Sequence, residues 1–139
     1  MRDVVIVDSV RTGLTKAFRG SFNLTRSDDM LAHCIDSLLD RNPNVGADEV
    51  EDVVVGAATH AGEQDGNIAR LAVILSKLPV TAAGVSINRF CSSGLQAIAI
   101  AANQSASGQT EVAIAGGVDS ISMRTRQEPG KAKQNQRLL

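Results

Sequence analysis

Short apolar runs that alternate with segments of helical periodicity are the feature that most restricts how this chain folds. Four runs rich in Val, Ile and Ala break off at polar residues or glycines, which predicts strands at residues 4–7, 50–55, 84–88 and 112–115. Apolar residues recur at helical spacing between the strands and predict helices that start at Ser27, Asn67 and Leu95. Such alternation favours right-handed crossovers. The sequence therefore predicts an α/β fold of βαβαβαβ order, layered on a mainly parallel central sheet.

Two of these elements carry apolar residues on all sides. Residues 4–7 form a continuous β-branched run, typical of a strand that is covered on both faces. The predicted helix at 95–105 is rich in Ala and Ile around most of its circumference, which is typical of a buried helix. In the helix from Ser27, Cys34 shares the apolar stripe and is therefore predicted to be a packing residue.

Composition excludes several classes of protein. The chain has 139 residues, 3 Phe, no Trp, no Tyr and a net charge of -1, which argues against a nucleic-acid partner. No apolar run approaches the roughly 20 residues of a membrane span. The sequence lacks CxxC, HExxH and GxxxxGK[ST], so it predicts no metal site and no P-loop. Two cysteines and no apolar leader before residue 4 predict a cytoplasmic protein without disulfides.

The charge is unevenly distributed along the chain. Residues 1–123 contain nine basic and fourteen acidic side chains, whereas residues 124–139 contain five basic side chains and one acidic. Neither helical nor strand periodicity continues beyond Met123. We therefore predict one domain at 1–123, followed by a basic, disordered or unrelated tail at 124–139.

Cys91 is the strongest candidate for a catalytic nucleophile. It follows the predicted strand at 84–88 and precedes the predicted helix at 95–105, beside the small residues Ser92, Ser93 and Gly94. Helix N-termini favour negative charge, so this junction would favour a thiolate, and free N–H groups there could hold an oxyanion. The alternative is that Cys91 is simply a small buried apolar residue.

Other polar residues are weaker candidates. His60, in a loop after a strand, and His33, on a helix, are possible bases. The simpler interpretation is a solvated side chain for His60 and a half-exposed helix residue for His33. The remaining candidates are predicted to be solvated acids (Glu63 and Asp65), a tightly packed strand end (Gly116 and Gly117), or groups that form a turn or support a neighbouring site residue (Asp119 and Ser120).

The segment from Ser86 to Ala97, SINRFCSSGLQA, and the segment from Ala113 to Met123, AIAGGVDSISM, resemble the thiolase family. The start at residues 4–12, VVIVDSVRT, is also similar to the start of thiolases. The resemblance covers residues 3–123 in the family's order. It implies the thiolase half-domain fold, a homo-oligomer and acyl-CoA substrates, with coenzyme A as a substrate and no permanently bound cofactor.

By this resemblance, Cys91 is the nucleophile that carries the acyl group as a thioester, and its backbone N–H belongs to an oxyanion hole. Thiolases cleave 3-ketoacyl-CoA with CoA or run the reverse Claisen condensation. The form NRxCSSG is more similar to degradative 3-ketoacyl-CoA thiolases, those of fatty-acid β-oxidation, than to biosynthetic ones. Two alternatives stay open: a ketoacyl-synthase-like condensing enzyme, and a non-catalytic assembly fragment.

The sequence departs from the family beyond Met123. The second reactive cysteine in a Cys-x-Gly motif, the histidine in Gly-His-Pro and the Asn-Glu-Ala-Phe segment are not found in these 139 residues. His33 and His60 lie outside those motifs and inherit no role from them. We therefore expect an amino-terminal portion of a thiolase, or a gene shortened by a frameshift, and a chain that does not turn over by itself.

Overall fold

In the computed structural model, which describes residues 2–126 and 137, three parallel strands form an open sheet in the order β2-β1-β3. The strands are β1 (Val50–Gly56), β2 (Ala83–Ile87) and β3 (Val112–Gly117), and the α-helices are α1 (Ser27–Arg41), α2 (Ile68–Leu75), α3 (Ser93–Ser107) and α4 (Ile121–Arg126). Short 3₁₀ helices lie at Ala47–Glu49 and Gly62–Gln64. The predicted α/β class with a parallel sheet is confirmed.

The central strand β1 organises the layers. Its residues Val53 and Val55 pack with α1 and α2 in one apolar cluster, whereas Val54 packs with Ala97 and Ala101 of α3 in another. Neighbouring residues of a strand point to opposite faces, so α1 and α2 cover one face of the sheet and α3 covers the other. All three valines are at most 1% exposed, which places the core along β1.

The predicted strand at residues 4–7 is wrong, because this segment is irregular in the structure. Val5, Ile6 and Val7 are 73–79% exposed instead of buried. The segment is held near its ends, where Arg2 donates its N–H to the Ala106 carbonyl at 3.1 Å and Asp8 pairs with a basic residue of α1. A β-branched run becomes a strand only when a neighbouring strand satisfies its backbone groups, and no strand among the described residues pairs with it.

The predicted burial of the helix after Cys91 is also wrong. In α3 only Ser93, Ala97 and Ala101 are buried, while Leu95 is 73% exposed and Ile98 is 42% exposed. One side of α3 packs on the sheet, and its opposite side carries apolar residues that the described part of the chain leaves uncovered. Periodicity identifies this helix as apolar but cannot supply a second layer to cover it.

The last described residues can be compared with the predicted boundary at residue 123 and the predicted tail at 124–139. Helix α4 continues to Arg126, so the predicted boundary at residue 123 falls inside a helix. Residues 127–136 and 138–139, for which we predict disorder, lie outside the described residues. Arg137 is described, and its guanidinium is 2.9 Å from a carboxylate oxygen of Asp29. None of the described helices is both long enough and apolar enough to span a bilayer.

Candidate functional site

Cys91 lies between the end of β2 at Ile87 and the start of α3 at Ser93, as predicted from the sequence. Its side chain is exposed, so the alternative of a buried apolar residue is wrong. Helix α3 is 15 residues long, and the positive end of its dipole lies at its N-terminus. This places an accessible thiol beside the end of a helix that favours negative charge.

A short turn presents the thiol. Phe90, the residue before Cys91, has φ 50°, a left-handed conformation that is uncommon for a residue other than glycine. Its N–H donates to Oδ1 of Asn88 at 2.8 Å, and its carbonyl accepts from the Ser93 N–H at 3.0 Å and from the Ser93 Oγ at 2.6 Å. The same Oγ accepts from the Arg89 N–H at 2.8 Å. The turn is therefore held from both sides by side chains.

These hydrogen bonds also orient the peptide between Phe90 and Cys91. A trans peptide directs its carbonyl and its N–H in opposite directions, and the described chain contains no cis peptide bond. Since the Phe90 carbonyl points at Ser93, in the first turn of α3, the N–H of Cys91 is directed away from that residue. An N–H so directed is able to bind an oxygen atom that approaches from outside the helix.

Close contacts between glycines bring the start of α3 against the sheet. A Cβ on Gly56, at the end of β1, would lie 2.2 Å from the Ser93 carbonyl carbon, and one on Gly117 would lie 3.2 Å from the Cα of Gly94. The predicted tight packing is thus confirmed at Gly117. It is wrong at Gly116, where an added Cβ would meet nothing within 4 Å.

A hydrogen-bonded loop lies next to the turn. The amide nitrogen of Asn88 donates to the Ala58 carbonyl at 3.1 Å, and the Ala58 N–H donates to Oδ2 of Asp119 at 2.9 Å. Gln64, 2% exposed, donates to Oδ1 of Asp119 at 3.1 Å, and its own Oε1 accepts from the Ser120 N–H at 2.6 Å. Asp119 and Ser120 therefore bond to residues far away in sequence, which fits the predicted supporting role and not the predicted turn. Sequence reasoning missed Asn88 and Gln64, and only the position of Asn88 in the NRxCSSG segment could have pointed to it.

Two acids in the loop between β1 and α2 are predicted to be solvated, and only one of them is. Asp65 is exposed, as expected, but Glu63 is only 3% exposed and accepts from the Ser27 Oγ at 3.2 Å, so its prediction is wrong. Burial raises the pKa of the Glu63 carboxyl, and the hydrogen bond from Ser27 opposes this effect. The loop packs on the N-terminus of α1, and this contact removes Glu63 from water.

Neither His33 nor His60 is hydrogen-bonded to the Cys91 thiol. His33 is exposed on α1. His60 is half-buried, and its Nε2 is buried without a hydrogen-bond partner, so the expectation of a solvated side chain is wrong for that atom. Among the hydrogen bonds of residues 2–126 and 137, none joins a histidine to Cys91. The described residues thus contain the candidate nucleophile without a base bonded to it.

The second cysteine occupies a different environment. Cys34 is half-buried on α1, where burial raises the pKa of its thiol. It lines an open cleft of about 350 Å³ together with Thr12, Met30 and Val118. Within the described part of the chain, no group of three or more His, Cys, Asp or Glu residues is arranged to hold a metal ion. Of the two cysteines, Cys91 is the exposed one.

Comparison with known proteins gives a consistent assignment. The family model "Thiolase, N-terminal domain" matches residues 4–138. The chain is 45% identical over 122 residues to the Beta-ketoadipyl-CoA thiolase of Pseudomonas putida and 41% identical over 122 residues to the 3-oxoadipyl-CoA/3-oxo-5,6-dehydrosuberyl-CoA thiolase of Escherichia coli. It is 40% identical over 119 residues to the 3-ketoacyl-CoA thiolase of Aliivibrio salmonicida.

These alignments cover 86–88% of this chain but only 30–31% of the relatives, so the chain spans about a third of their length. The family match runs past residue 123, where the sequence predicts a boundary that stays a prediction. The family model matches nearly the whole chain, and the structure is a parallel α/β fold with an exposed cysteine before a helix. The chain belongs to the thiolase family and carries its N-terminal domain.

Proposed function

We propose that this chain supplies the acyl-accepting cysteine of an acyl-CoA acyltransferase, with Cys91 as the nucleophile. The observation that carries the proposal is the exposed thiol of Cys91 immediately before the N-terminus of α3. An exposed thiol can meet a substrate that a buried one cannot. A cysteine attacks carbonyl carbon through its sulfur, so the sulfur must be within reach of the substrate.

The reaction proposed for Cys91 is the one that membership of the thiolase family suggests, and it needs a thiol that a substrate can reach. The Cys91 thiolate attacks the ketone carbon of a 3-oxoacyl-CoA, and the developing oxyanion accepts the N–H of Cys91. The bond between C2 and C3 then breaks, its electron pair stays on C2, and C2 takes up a proton to give acetyl-CoA. The acyl group is left on Cys91 as a thioester. A CoA thiol attacks this thioester and releases the thiolate; the reverse sequence is a Claisen condensation.

The substrate class is a 3-oxoacyl-CoA, with coenzyme A as the second substrate and no permanently bound cofactor. Relatives named for β-ketoadipyl-CoA and for 3-ketoacyl-CoA support this class. The former name makes a dicarboxylic acyl chain a candidate beside the fatty acyl chain that the NRxCSSG segment suggests. A role in β-oxidation, a homo-oligomeric assembly and a cytoplasmic location stay predictions.

We propose further that the 139-residue chain accepts an acyl group but does not turn over. Protonation of C2 and activation of CoA each need a positioned acid or base. His33 is exposed on α1, and His60 has no hydrogen bond to Cys91. Transfer of an acetyl group from acetyl-CoA to Cys91 forms no carbanion: the proton that leaves the Cys91 thiol passes to water, the departing CoA thiolate takes a proton from water, and no acid has to protonate carbon.

The test separates acylation from turnover. The folded chain is incubated with acetyl-CoA, and peptide mapping by mass spectrometry locates the acetyl group; steady-state thiolysis is measured with acetoacetyl-CoA and CoA. We expect acetyl-Cys91 and no sustained thiolysis. Cys91→Ser should abolish the thioester, and Cys34→Ser is the matched control that should retain it. Acetylation of Cys34 in preference to Cys91 would refute the role of Cys91, and steady turnover would refute the second statement.

A further inference from the structure

We propose that Asn88 is a positioning residue for Cys91, which acts by holding the peptide that carries the Cys91 N–H. The proposal rests on the acyl-accepting role of Cys91 given above. It assigns a role to a side chain that does not touch the reacting atoms.

The first observation is that Asn88 uses both ends of its amide. Its Oδ1 accepts from the Phe90 N–H at 2.8 Å, and its Nδ2 donates to the Ala58 carbonyl at 3.1 Å. An amide side chain offers a donor and an acceptor together, whereas an ionised carboxylate offers acceptors alone. Asn88 thus joins the Cys91 turn to the loop that comes after β1.

The second observation is the conformation of Phe90. Its φ of 50° is unfavourable for a residue with a Cβ, and Phe90 is 76% exposed, so packing of its side chain offers little compensation. The hydrogen bonds to Asn88 and Ser93 are what hold this conformation. Since the Phe90 carbonyl and the Cys91 N–H belong to one peptide, the side chains that fix Phe90 also fix the direction of the Cys91 N–H.

The third observation is that the far end of the link is anchored. The Ala58 N–H donates to Asp119 at 2.9 Å, and Asp119 is held in turn by Gln64, which is 2% exposed. The Ala58 carbonyl is therefore a fixed point for the Asn88 amide. Removing that amide frees the turn at its start while Ser93 still holds it at its end.

The experiment uses two reactions of the same sulfur. Acetyl transfer from acetyl-CoA passes through an oxyanion that the Cys91 N–H can bind, whereas alkylation by iodoacetamide displaces iodide and forms no oxyanion. We expect Asn88→Ala to lower the acetylation rate about tenfold, roughly the worth of one hydrogen bond, and to leave alkylation within about twofold. Asn88→Asp, which keeps the acceptor for Phe90, should be intermediate.

A second substitution tests the physical reason. Glycine adopts positive φ without a Cβ penalty, so Phe90→Gly added to Asn88→Ala should restore much of the acetylation rate. The matched control is Asn67→Ala, which removes another bridging amide, bonded to the Arg70 N–H and the Gly84 carbonyl, away from the Cys91 turn. Asn67→Ala should leave the ratio of acetylation to alkylation unchanged.

Each outcome decides between the two proposals. If wild-type Cys91 is not acetylated, the proposed acyl-accepting role fails. If it is acetylated and Asn88→Ala keeps the wild-type ratio, the positioning role of Asn88 fails alone. Alkylation of half-buried Cys34 reports unfolding in every variant. Should Asn88→Ala unfold by that measure, Asn88→Asp is decisive, and an unchanged ratio in it overturns the proposal.

Discussion

Substituting Gly56 by alanine should displace the start of α3 and destabilise the chain strongly. The new Cβ would lie 2.2 Å from the Ser93 carbonyl carbon and 2.3 Å from its oxygen. Reaching an ordinary contact of about 3.4 Å needs a shift of about 1.2 Å. These are backbone atoms, which cannot rotate away as a side chain does. Ala97 and Ala101 hold α3 on the sheet and resist that shift.

The expected magnitude is set by the packing of the core. Overpacking a core typically costs about 1–3 kcal/mol and occasionally more, and a backbone contact this short belongs at the upper end, so we expect about 3 kcal/mol or more. Gly117→Ala, whose Cβ would lie 3.0 Å from the Gly56 carbonyl oxygen, should cost less. Gly116→Ala meets nothing within 4 Å and should be neutral or stabilising by about 0.5–1 kcal/mol, because alanine suits a strand interior better than glycine.

Urea denaturation monitored by far-ultraviolet circular dichroism measures these differences. The chain has no Trp and no Tyr, so fluorescence of those residues is not an option. Linear extrapolation then gives the free energy of unfolding for each variant. If Gly56→Ala and Gly116→Ala differ by less than about 0.5 kcal/mol, the contact between the end of β1 and the start of α3 does not exist as described.

Two further predictions concern titratable groups. Burial raises the pKa of Glu63 above its ordinary value of 4.5, so the unfolded carboxyl ionises first and the stability of the folded chain falls as pH rises from about 4.5 through the folded pKa. Urea unfolding at several pH values should show this loss in the wild type and in Asp65→Asn, and should not show it in Glu63→Gln. If the free energy of unfolding changes equally with pH in the wild type and in Glu63→Gln, the prediction is contradicted. Near neutral pH, exposed Cys91 should react with iodoacetamide before half-buried Cys34, whose thiol pKa is raised by burial, and the two should react alike in urea. Peptide mapping checks the order, and faster modification of Cys34 in the folded chain would count against it.

The alternation of apolar runs and helical stripes was enough to predict most of the fold. β1, β2, β3 and the three longer helices lie where the periodicity places them. Local patterning succeeds there because each of these elements packs at least one apolar side against a neighbouring element. The junction position of Cys91 is explained by the same alternation, since the residue falls between a strand and a helix.

Predictions failed where a partner was needed that the pattern does not specify. Residues 4–7 have strand composition without a neighbouring strand among the described residues, and the outer side of α3 has apolar residues without a covering layer. Glu63 is predicted to be a solvated acid in a loop, but it is buried because that loop packs on the N-terminus of α1. Burial depends on what lies across the fold from a residue, which its neighbours in sequence do not determine.

By itself, then, the amino-acid sequence determined the parallel α/β class, the strand-to-helix junction at Cys91 and the resemblance to thiolases. Only the tertiary structure decided how the thiol is presented. The Asn88 amide reaches Ala58, thirty residues away, and Gln64 reaches Asp119, fifty-five residues away. Such contacts join residues that adjoin only after the crossovers bring the ends of three parallel strands together, and no local pattern encodes them.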